Sequence, residues 1–238
     1  MSESSISISR RGWLRSLALG PVAAAVAAPL RAAEPAGNGL IGRDICLVTP
    51  RLTEGPFYID PKAIRSDITE GKPGVPVRLA LQVVSAATGC TPIANARVDL
   101  WQCDAEGNYS GFARQGSDAV INTRDQTFLR GSQFTGDDGV CSFRTIYPGW
   151  YAGRTTHFHY KVFLDARTVL ASQIFLPDAL NAHVYEAFSP YNTRGATQTT
   201  FNYNDFIARQ GGDAAYASIE EAADGYAAAL VVGLDRTG

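Results

Sequence analysis

Two of the three histidines in this 238-residue chain form a His-x-His pair. His157 and His159 lie in Thr-His-Phe-His-Tyr (156–160), which has the alternation of a β-strand. Residues i and i+2 of a strand point to the same face about 6.5 Å apart, so both imidazoles could reach one metal ion. Two polar residues on a solvated strand face are the alternative interpretation. His183 lies in a predicted helix away from any motif and is interpreted as a solvated residue.

Two tyrosines in glycine-rich segments could complete a metal site. Tyr109 lies in Gly-Asn-Tyr-Ser-Gly (107–111), and Tyr151 lies in Pro-Gly-Trp-Tyr-Ala-Gly (148–153). A phenolate is a hard, anionic oxygen donor that suits Fe(III). On spacing alone each tyrosine is more typical of a surface aromatic residue. Two alternatives stay open: a copper or zinc protein that uses the His-x-His pair, although no third zinc ligand is evident, and a metal-free β-sandwich binding module.

At these residues the sequence resembles the intradiol ring-cleavage dioxygenases, non-haem Fe(III) enzymes that include protocatechuate 3,4-dioxygenase and catechol 1,2-dioxygenase. The resemblance covers roughly residues 47–235. Besides the tyrosine and histidine segments, it rests on Thr-Glu-Gly-Pro-Phe-Tyr (53–58), Val-Asp-Leu-Trp-Gln-Cys-Asp (98–104), Leu-Arg-Gly-Ser-Gln (129–133), Thr-Ile-Tyr-Pro-Gly-Trp-Tyr (145–151), Arg154, and Gln173 with Phe-Leu-Pro (175–177). The exported, protocatechuate-type catalytic core is the form that this chain resembles most.

The resemblance implies one Fe(III) ion held by Tyr109 and His157 as equatorial ligands and by Tyr151 and His159 as axial ligands. It implies that both atoms of O₂ are inserted into a catechol-type ring, which opens to a muconate-type diacid. Tyr151 would leave the metal and accept a substrate proton. Arg154 would stabilise negative charge on the ring, and Gln173 would help to position the substrate.

The rest of the chain predicts an all-β dominated fold, an antiparallel or mixed β-sandwich with short helices. Alternating or β-branched strands are predicted at 77–85, 96–103, 139–146, 156–164, 169–176 and 225–234, separated by Gly, Pro, Asp and Asn clusters. Helices are predicted at 178–188 and 213–223. Residues 34–76 are rich in turn formers and predict an extended, ordered arm that lies over the core.

The N-terminus predicts export. Ser-Arg-Arg-Gly-Trp-Leu-Arg (9–15) precedes an apolar run that is too short and too broken by proline to span a membrane, so residues 1–33 are interpreted as a cleaved twin-arginine signal and 34–238 as one domain. The expected location is periplasmic or secreted. Such a compartment favours one or two disulfides among four cysteines (Cys46, Cys90, Cys103 and Cys141), whose pairing stays open.

The charge balance limits the partners. The formal net charge of −2 excludes binding to nucleic acid through bulk positive charge. The resemblance implies a catechol-type substrate and O₂ as partners, and the sequence itself predicts no nucleic-acid partner and no membrane span. A homo-oligomer is allowed by the sequence and is not specified by it.

Overall fold

The computed structural model describes residues 47–116, 119–165, 167–195 and 197–235. The predicted signal segment, the first part of the predicted arm and Cys46 lie outside these residues. Within the described residues, no helix is long and apolar enough to cross a membrane.

The strands of the described residues form two sheets. In chain order the strands are β1 (Pro76–Ser85), β2 (Thr91–Pro92), β3 (Arg97–Trp101), β4 (Arg130–Phe134), β5 (Val140–Ile146), β6 (His157–Leu164), β7 (Arg167–Phe175), β8 (Ser218–Ala222) and β9 (Gly225–Leu234). The first sheet has the order β2-β1-β9-β8, with β5 also paired to β1. The second has the order β4-β3-β6-β7 and is antiparallel throughout. Since β1 and β9 pair in parallel, the predicted mixed β-sandwich is confirmed.

The core lies between the two sheets. Alternate residues of β1, including Leu79 and Leu81, are fully buried against Phe158, Tyr160 and Val162 of β6 in one cluster. Because successive strand residues point to opposite faces, His157 and His159 must lie on the other face of β6. The two histidines are therefore held on the outer face of the second sheet.

The arm covers this outer face. Its backbone meets β7, where the Leu52 amide donates to the Ala171 carbonyl at 3.0 Å. Its side chains meet β6, where the Lys161 ammonium lies 2.7 Å from the Glu54 carboxylate. The described part of the predicted arm is thus ordered, and it explains why the first six residues of β6 are buried on both faces.

The helix prediction at 178–188 is confirmed by α1 (Asp178–Ala187), whereas the prediction at 213–223 is wrong. There a single 3-10 turn (Asp213–Ala215) is followed by β8, in which Ile219 pairs with Ala228 of β9. The alanine-rich composition favours a helix only weakly, and pairing with the adjacent strand overrides it. The sequence analysis also missed the strands β2 and β4 and a short helix, α2 (Phe206–Gly211).

The cysteines are only partly paired. Cys90 is disulfide-bonded, whereas Cys103 and Cys141 are free and buried. Two disulfides are therefore excluded, and one is consistent with the sequence expectation.

Candidate metal centre

Four side chains bring their donor atoms together on the outer face of the second sheet. The Nε2 atom of His157 lies 3.0 Å from Nε2 of His159, 3.1 Å from the Tyr151 hydroxyl and 3.4 Å from the Tyr109 hydroxyl. The Tyr109 hydroxyl lies 3.1 Å from His159 Nε2 and 3.5 Å from the Tyr151 hydroxyl. Tyr151 and His159 are the one pair of these four that makes no such contact, so they lie at opposite ends of the cluster.

The sheet register positions the histidines. His159 of β6 pairs with Trp101 of β3 on one side and with Gln173 of β7 on the other. Trp101 in turn pairs with Arg130 of β4. Directly paired residues of neighbouring strands present their side chains on the same face, so one row across the sheet carries Arg130, Trp101, His159 and Gln173.

Two glycines let the tyrosine-bearing loops approach each other. Gly107 has a positive φ of 89°, and a Cβ atom there would lie 2.4 Å from the Trp150 carbonyl oxygen. A Cβ on Gly149 would lie 2.5 Å from the carbonyl oxygen of Asp104. Only glycine tolerates such close backbone approach. This contact sets Tyr109, which follows β3, beside Tyr151, which follows β5.

Aromatic stacking fixes the rings from outside the cluster. Phe57 of the arm stacks on Tyr109, with centroids 4.4 Å apart and an interplanar angle of 15°. Trp101 stacks on His159 at 5.0 Å and 8°. Stacked pairs of this kind contribute beyond the area that they bury, so both rings are held in one orientation.

Burial keeps both imidazoles neutral. It lowers the pKa of His157 to about 3, with a further contribution from the positive charge of Arg154. Burial also lowers the pKa of His159 well below its usual value, and the electrostatic influence of His157 and Arg154 lowers it further. Nδ1 of His157 lies 2.6 Å from the Thr155 carbonyl oxygen. The carbonyl can only accept, so it fixes the proton on Nδ1 and leaves a lone pair on Nε2 facing the cluster.

The tyrosine hydroxyls are buried with few partners. Burial raises the pKa of Tyr109 well above its usual value and that of Tyr151 to about 12, the latter opposed by Arg154. The Tyr109 hydroxyl makes its contacts within the cluster itself, and the Tyr151 hydroxyl also contacts Arg154. A bound cation would satisfy all four donor atoms and would favour the deprotonated phenols, so the residues present fit a metal ion.

Arg154 lies at the edge of the cluster and is held by two buried residues. Its Nη1 lies 3.4 Å from His157 Nε2, its Nη2 donates to the Gln173 side-chain oxygen, and its Nε donates to Asp205 Oδ2 at 2.8 Å. Gln173 is fully buried and also donates to the Thr53 carbonyl. Gln173 therefore contacts Arg154 and would act through it.

Asp205 is a site residue that sequence reasoning missed. Its Oδ2 accepts from Arg154 and from the Thr155 amide, and its Oδ1 accepts from the Ile207 and Ala208 amides at the start of α2. Burial would raise the pKa of Asp205, but the hydrogen bonds from Thr155 and Arg154 outweigh burial and lower it. The sequence offered one signal for Asp205, its suitability as the N-cap residue of a helix. That helix, α2, was not predicted.

Arg130 ties the surrounding loops together. Its guanidinium is buried and donates to the side chain and the carbonyl of Ser110, and to the carbonyl of Phe57. Burial lowers the pKa of Arg130 to about 10. The residue joins the segment after Tyr109 to the arm residue that stacks on Tyr109.

The structure thus brings together all six residues singled out by sequence (Tyr109, Tyr151, Arg154, His157, His159 and Gln173) and leaves His183 exposed on α1. Their roles as ligands and catalytic groups stay predictions. Within the described residues, no group of three His, Cys, Asp or Glu side chains could hold a metal. A conventional zinc site is accordingly not supported.

Comparison with known proteins gives consistent matches. A family model described as a dioxygenase matches residues 53–210. The structure of an intradiol ring-cleavage dioxygenase from Tetranychus urticae is 30% identical, with a TM-score of 0.72, over 80% of this chain and 95% of that chain. The dioxygenase domain of a carbohydrate-binding fusion protein from Streptomyces sp. SirexAA-E is also 30% identical, with a TM-score of 0.56, over 80% of this chain and 99% of that chain.

A catechol 1,2-dioxygenase from Acinetobacter baylyi is 26% identical over 209 residues, which are 79% of this chain and 65% of the relative. Another from Acinetobacter lwoffii is 28% identical over 148 residues, which are 52% of this chain and 45% of the relative. The chain thus spans less than two thirds of the length of these two relatives. The match of the family model over most of the chain, and the relative in Tetranychus urticae that it covers almost completely, show that the chain belongs to the intradiol ring-cleavage dioxygenase family.

Proposed function

We propose that this protein is an Fe(III)-dependent intradiol dioxygenase that opens a catechol-type ring with O₂ to give a muconate-type diacid. The observation that carries the proposal is the cluster of two phenol oxygens and two imidazole nitrogens, in which five of the six pairwise contacts are between 3.0 and 3.5 Å. Family membership supports the same reading.

The donor set suits ferric iron better than zinc or copper. Deprotonated phenols are hard, anionic ligands, and the site contains neither a thiolate nor a carboxylate ligand. Tyr109, Tyr151, His157 and His159 would hold the ion. Bound there, Fe(III) would supply Lewis-acid and redox chemistry that makes a chelated catechol reactive towards O₂.

Tyr151 is the proposed proton acceptor. It is partly exposed, whereas Tyr109 is fully buried. The positive charge of Arg154 acts on Tyr151 to lower its pKa against the effect of burial. Tyr151 is therefore the tyrosine to which a bound catechol would transfer a hydroxyl proton.

Arg154 stabilises the negative charge that develops on the deprotonated catechol. Its side chain is 15% exposed, and its guanidinium is fixed by Asp205 on one edge and Gln173 on another. A positive group that is held in place before the reaction costs no reorganisation when the charge appears. Asp205 and Gln173 are positioning residues in this scheme.

The reaction balances without an external reductant. The carbon–carbon bond between the two hydroxyl-bearing carbons breaks, the O–O bond breaks, and each of the two carbons gains one oxygen. The two catechol protons end on the carboxyl groups or in solvent. Relatives named for catechol and for hydroxyquinol support a catechol-type substrate.

We also propose that the protein is exported through the twin-arginine route, to the periplasm or beyond. The support is the paired arginines at positions 10 and 11 followed by an apolar run without acidic residues. Export in the folded state would carry a metal that was loaded in the cytoplasm, because metal binding couples to folding.

The test compares two histidine variants. His157→Ala removes a proposed ligand, and His183→Ala removes an exposed histidine of α1 as a matched control. We expect iron content, red-brown phenolate-to-iron colour and catechol turnover in the wild type and in His183→Ala, and loss of all three in His157→Ala. Iron and turnover that survive in His157→Ala would contradict the proposed site.

A further inference from the structure

A cavity of about 380 Å³ lies next to the Trp150–Tyr151 segment and apart from the four clustered donor atoms. Its walls include the aromatic side chains of Trp150, Tyr185, Tyr191 and Phe201. The hydroxyls of Tyr185 and Tyr191 are engaged by the carbonyls of Pro148 and Tyr147. These residues therefore offer ring surface to the cavity, and its volume is in the range of small-molecule sites.

One cation enters this aromatic cavity. The guanidinium of Arg194 lies 4.1 Å from the centroid of the Trp150 ring. Its Nη1 donates to the Trp150 carbonyl at 2.7 Å and, at 3.5 Å, to the carbonyl of Ala105. Among the residues that the structure describes, Arg194 forms no ion pair with a carboxylate, and Nε and Nη2 make no hydrogen bond.

The acidic groups nearby do not neutralise Arg194 directly. Asp104 is buried and forms an ion pair of its own with Lys72 at 2.7 Å. Asp104 and Glu106 attract Arg194 by charge without forming an ion pair with it, and Glu186 is an exposed residue of the cavity wall. Burial lowers the pKa of Arg194 from its usual value. A partly buried guanidinium with free donors in a ring-lined cavity is suited to a planar anion.

We propose that this cavity is a second small-molecule site, which binds an aromatic carboxylate. The carboxylate would accept from Nε and Nη2 of Arg194, and the ring would lie against the aromatic walls. The site is independent of the proposed iron centre, since none of its walls is a proposed ligand.

Benzoate is the probe, and calorimetric titration of the full-length protein is the measurement. The protein is first saturated with 4-nitrocatechol, a catechol analogue that competes for the iron site. We expect benzoate to bind, and benzamide, which has the same ring without the charge, to bind about tenfold more weakly, the effect of one hydrogen bond between charged groups.

Two variants test the assignment to this cavity. Arg194→Gln removes the cation, and we expect it to weaken benzoate binding by about tenfold or more. Ala182→Trp fills the cavity from an exposed position of α1 and should abolish binding, whereas Ala187→Trp, on the same helix but outside the cavity, should bind like the wild type.

Thermal unfolding checks that each variant is folded, and Ala182→Trp decides the question if Arg194→Gln is unstable. Absence of benzoate binding to the wild type would overturn the proposal. Unchanged binding in Ala182→Trp would overturn it too. Because benzoate binding is measured with the iron site already blocked by 4-nitrocatechol, absence of benzoate binding would overturn only the cavity proposal. Loss of catechol turnover in a ligand variant such as His157→Ala would in turn say nothing about the cavity.

Discussion

Replacing Asp205 by Asn should uncouple Arg154 from the rest of the site. The Asp205 carboxylate uses both oxygens, because Oδ2 accepts from Arg154 Nε at 2.8 Å and from the Thr155 amide at 2.9 Å, while Oδ1 caps α2. An Asn side chain has one acceptor oxygen. If that oxygen accepts from Arg154 and Thr155, the NH₂ group of Asn faces the two backbone amides at the start of α2. If it accepts from those two amides, the NH₂ group faces the donors of Arg154 and Thr155.

The magnitude follows from burial and charge. The side chain of Asp205 is 1% exposed and that of Arg154 is 15% exposed, so solvent screens their interaction weakly. Removing one partner of a buried ion pair costs about 3–5 kcal/mol. Because Asn retains one acceptor and Arg154 retains Gln173, we expect a loss near the lower end, about 3 kcal/mol of unfolding free energy. Turnover should fall as well, by about a hundredfold. Asp205 holds the amide of Thr155, and the carbonyl of Thr155 orients His157.

Denaturant unfolding and catechol turnover measure the two effects. Asp224→Asn is the matched control, because Asp224 accepts two hydrogen bonds from Arg78 on the surface. The side chain of Arg78 is 66% exposed and that of Asp224 is 52% exposed. Exposed pairs of this kind contribute at most about 1 kcal/mol. If Asp205→Asn were as stable and as active as Asp224→Asn, the assigned role of Asp205 would be refuted.

Two further predictions concern the same site, and a third concerns export. The pKa of Asp205 is lowered from its ordinary value of 3.8 in the folded protein. The stabilising contribution of the carboxylate is therefore present above pH 3.8 and is lost as the pH falls through the lower pKa of the folded state. The difference in unfolding free energy between the wild type and Asp205→Asn should shrink as the pH is lowered through this range. Tyr151→Phe should retain iron but lose most turnover and part of the visible absorbance, and full turnover with bound iron would show that Tyr151 is not the proton acceptor. Arg10→Lys combined with Arg11→Lys should leave active enzyme in the cytoplasm, which cell fractionation measures, and undiminished export would contradict the twin-arginine route.

Much of the fold could be predicted because its strands carry strong local patterns. The alternation in β1, β3 and β6 reflects one face packed in the core, and these predictions are confirmed. The parallel pairing of β1 with β9 could not be predicted, since it joins residues at opposite ends of the domain. The helix predicted from composition at 213–223 was wrong, because β8 in this range forms its hydrogen bonds with the neighbouring strand β9.

The candidate site was predictable where a motif carries the chemistry. His157 and His159 share a face through the strand period, and the resemblance supplied Tyr109, Tyr151 and Arg154. Asp205 lies about fifty residues further along the chain, and only tertiary contact brings it to Arg154. The Thr155 carbonyl, which orients His157, is a backbone group whose position no residue type reveals.

The most direct test of the central claim is the mass spectrum of the product formed from catechol under ¹⁸O₂. Intradiol cleavage predicts a muconate-type diacid with one labelled oxygen in each new carboxyl group. Formation of a semialdehyde, which results when the ring opens beside rather than between the hydroxyl-bearing carbons, would contradict the account. A product that carries no label, or no ring-opened product from iron-loaded protein, would contradict it equally.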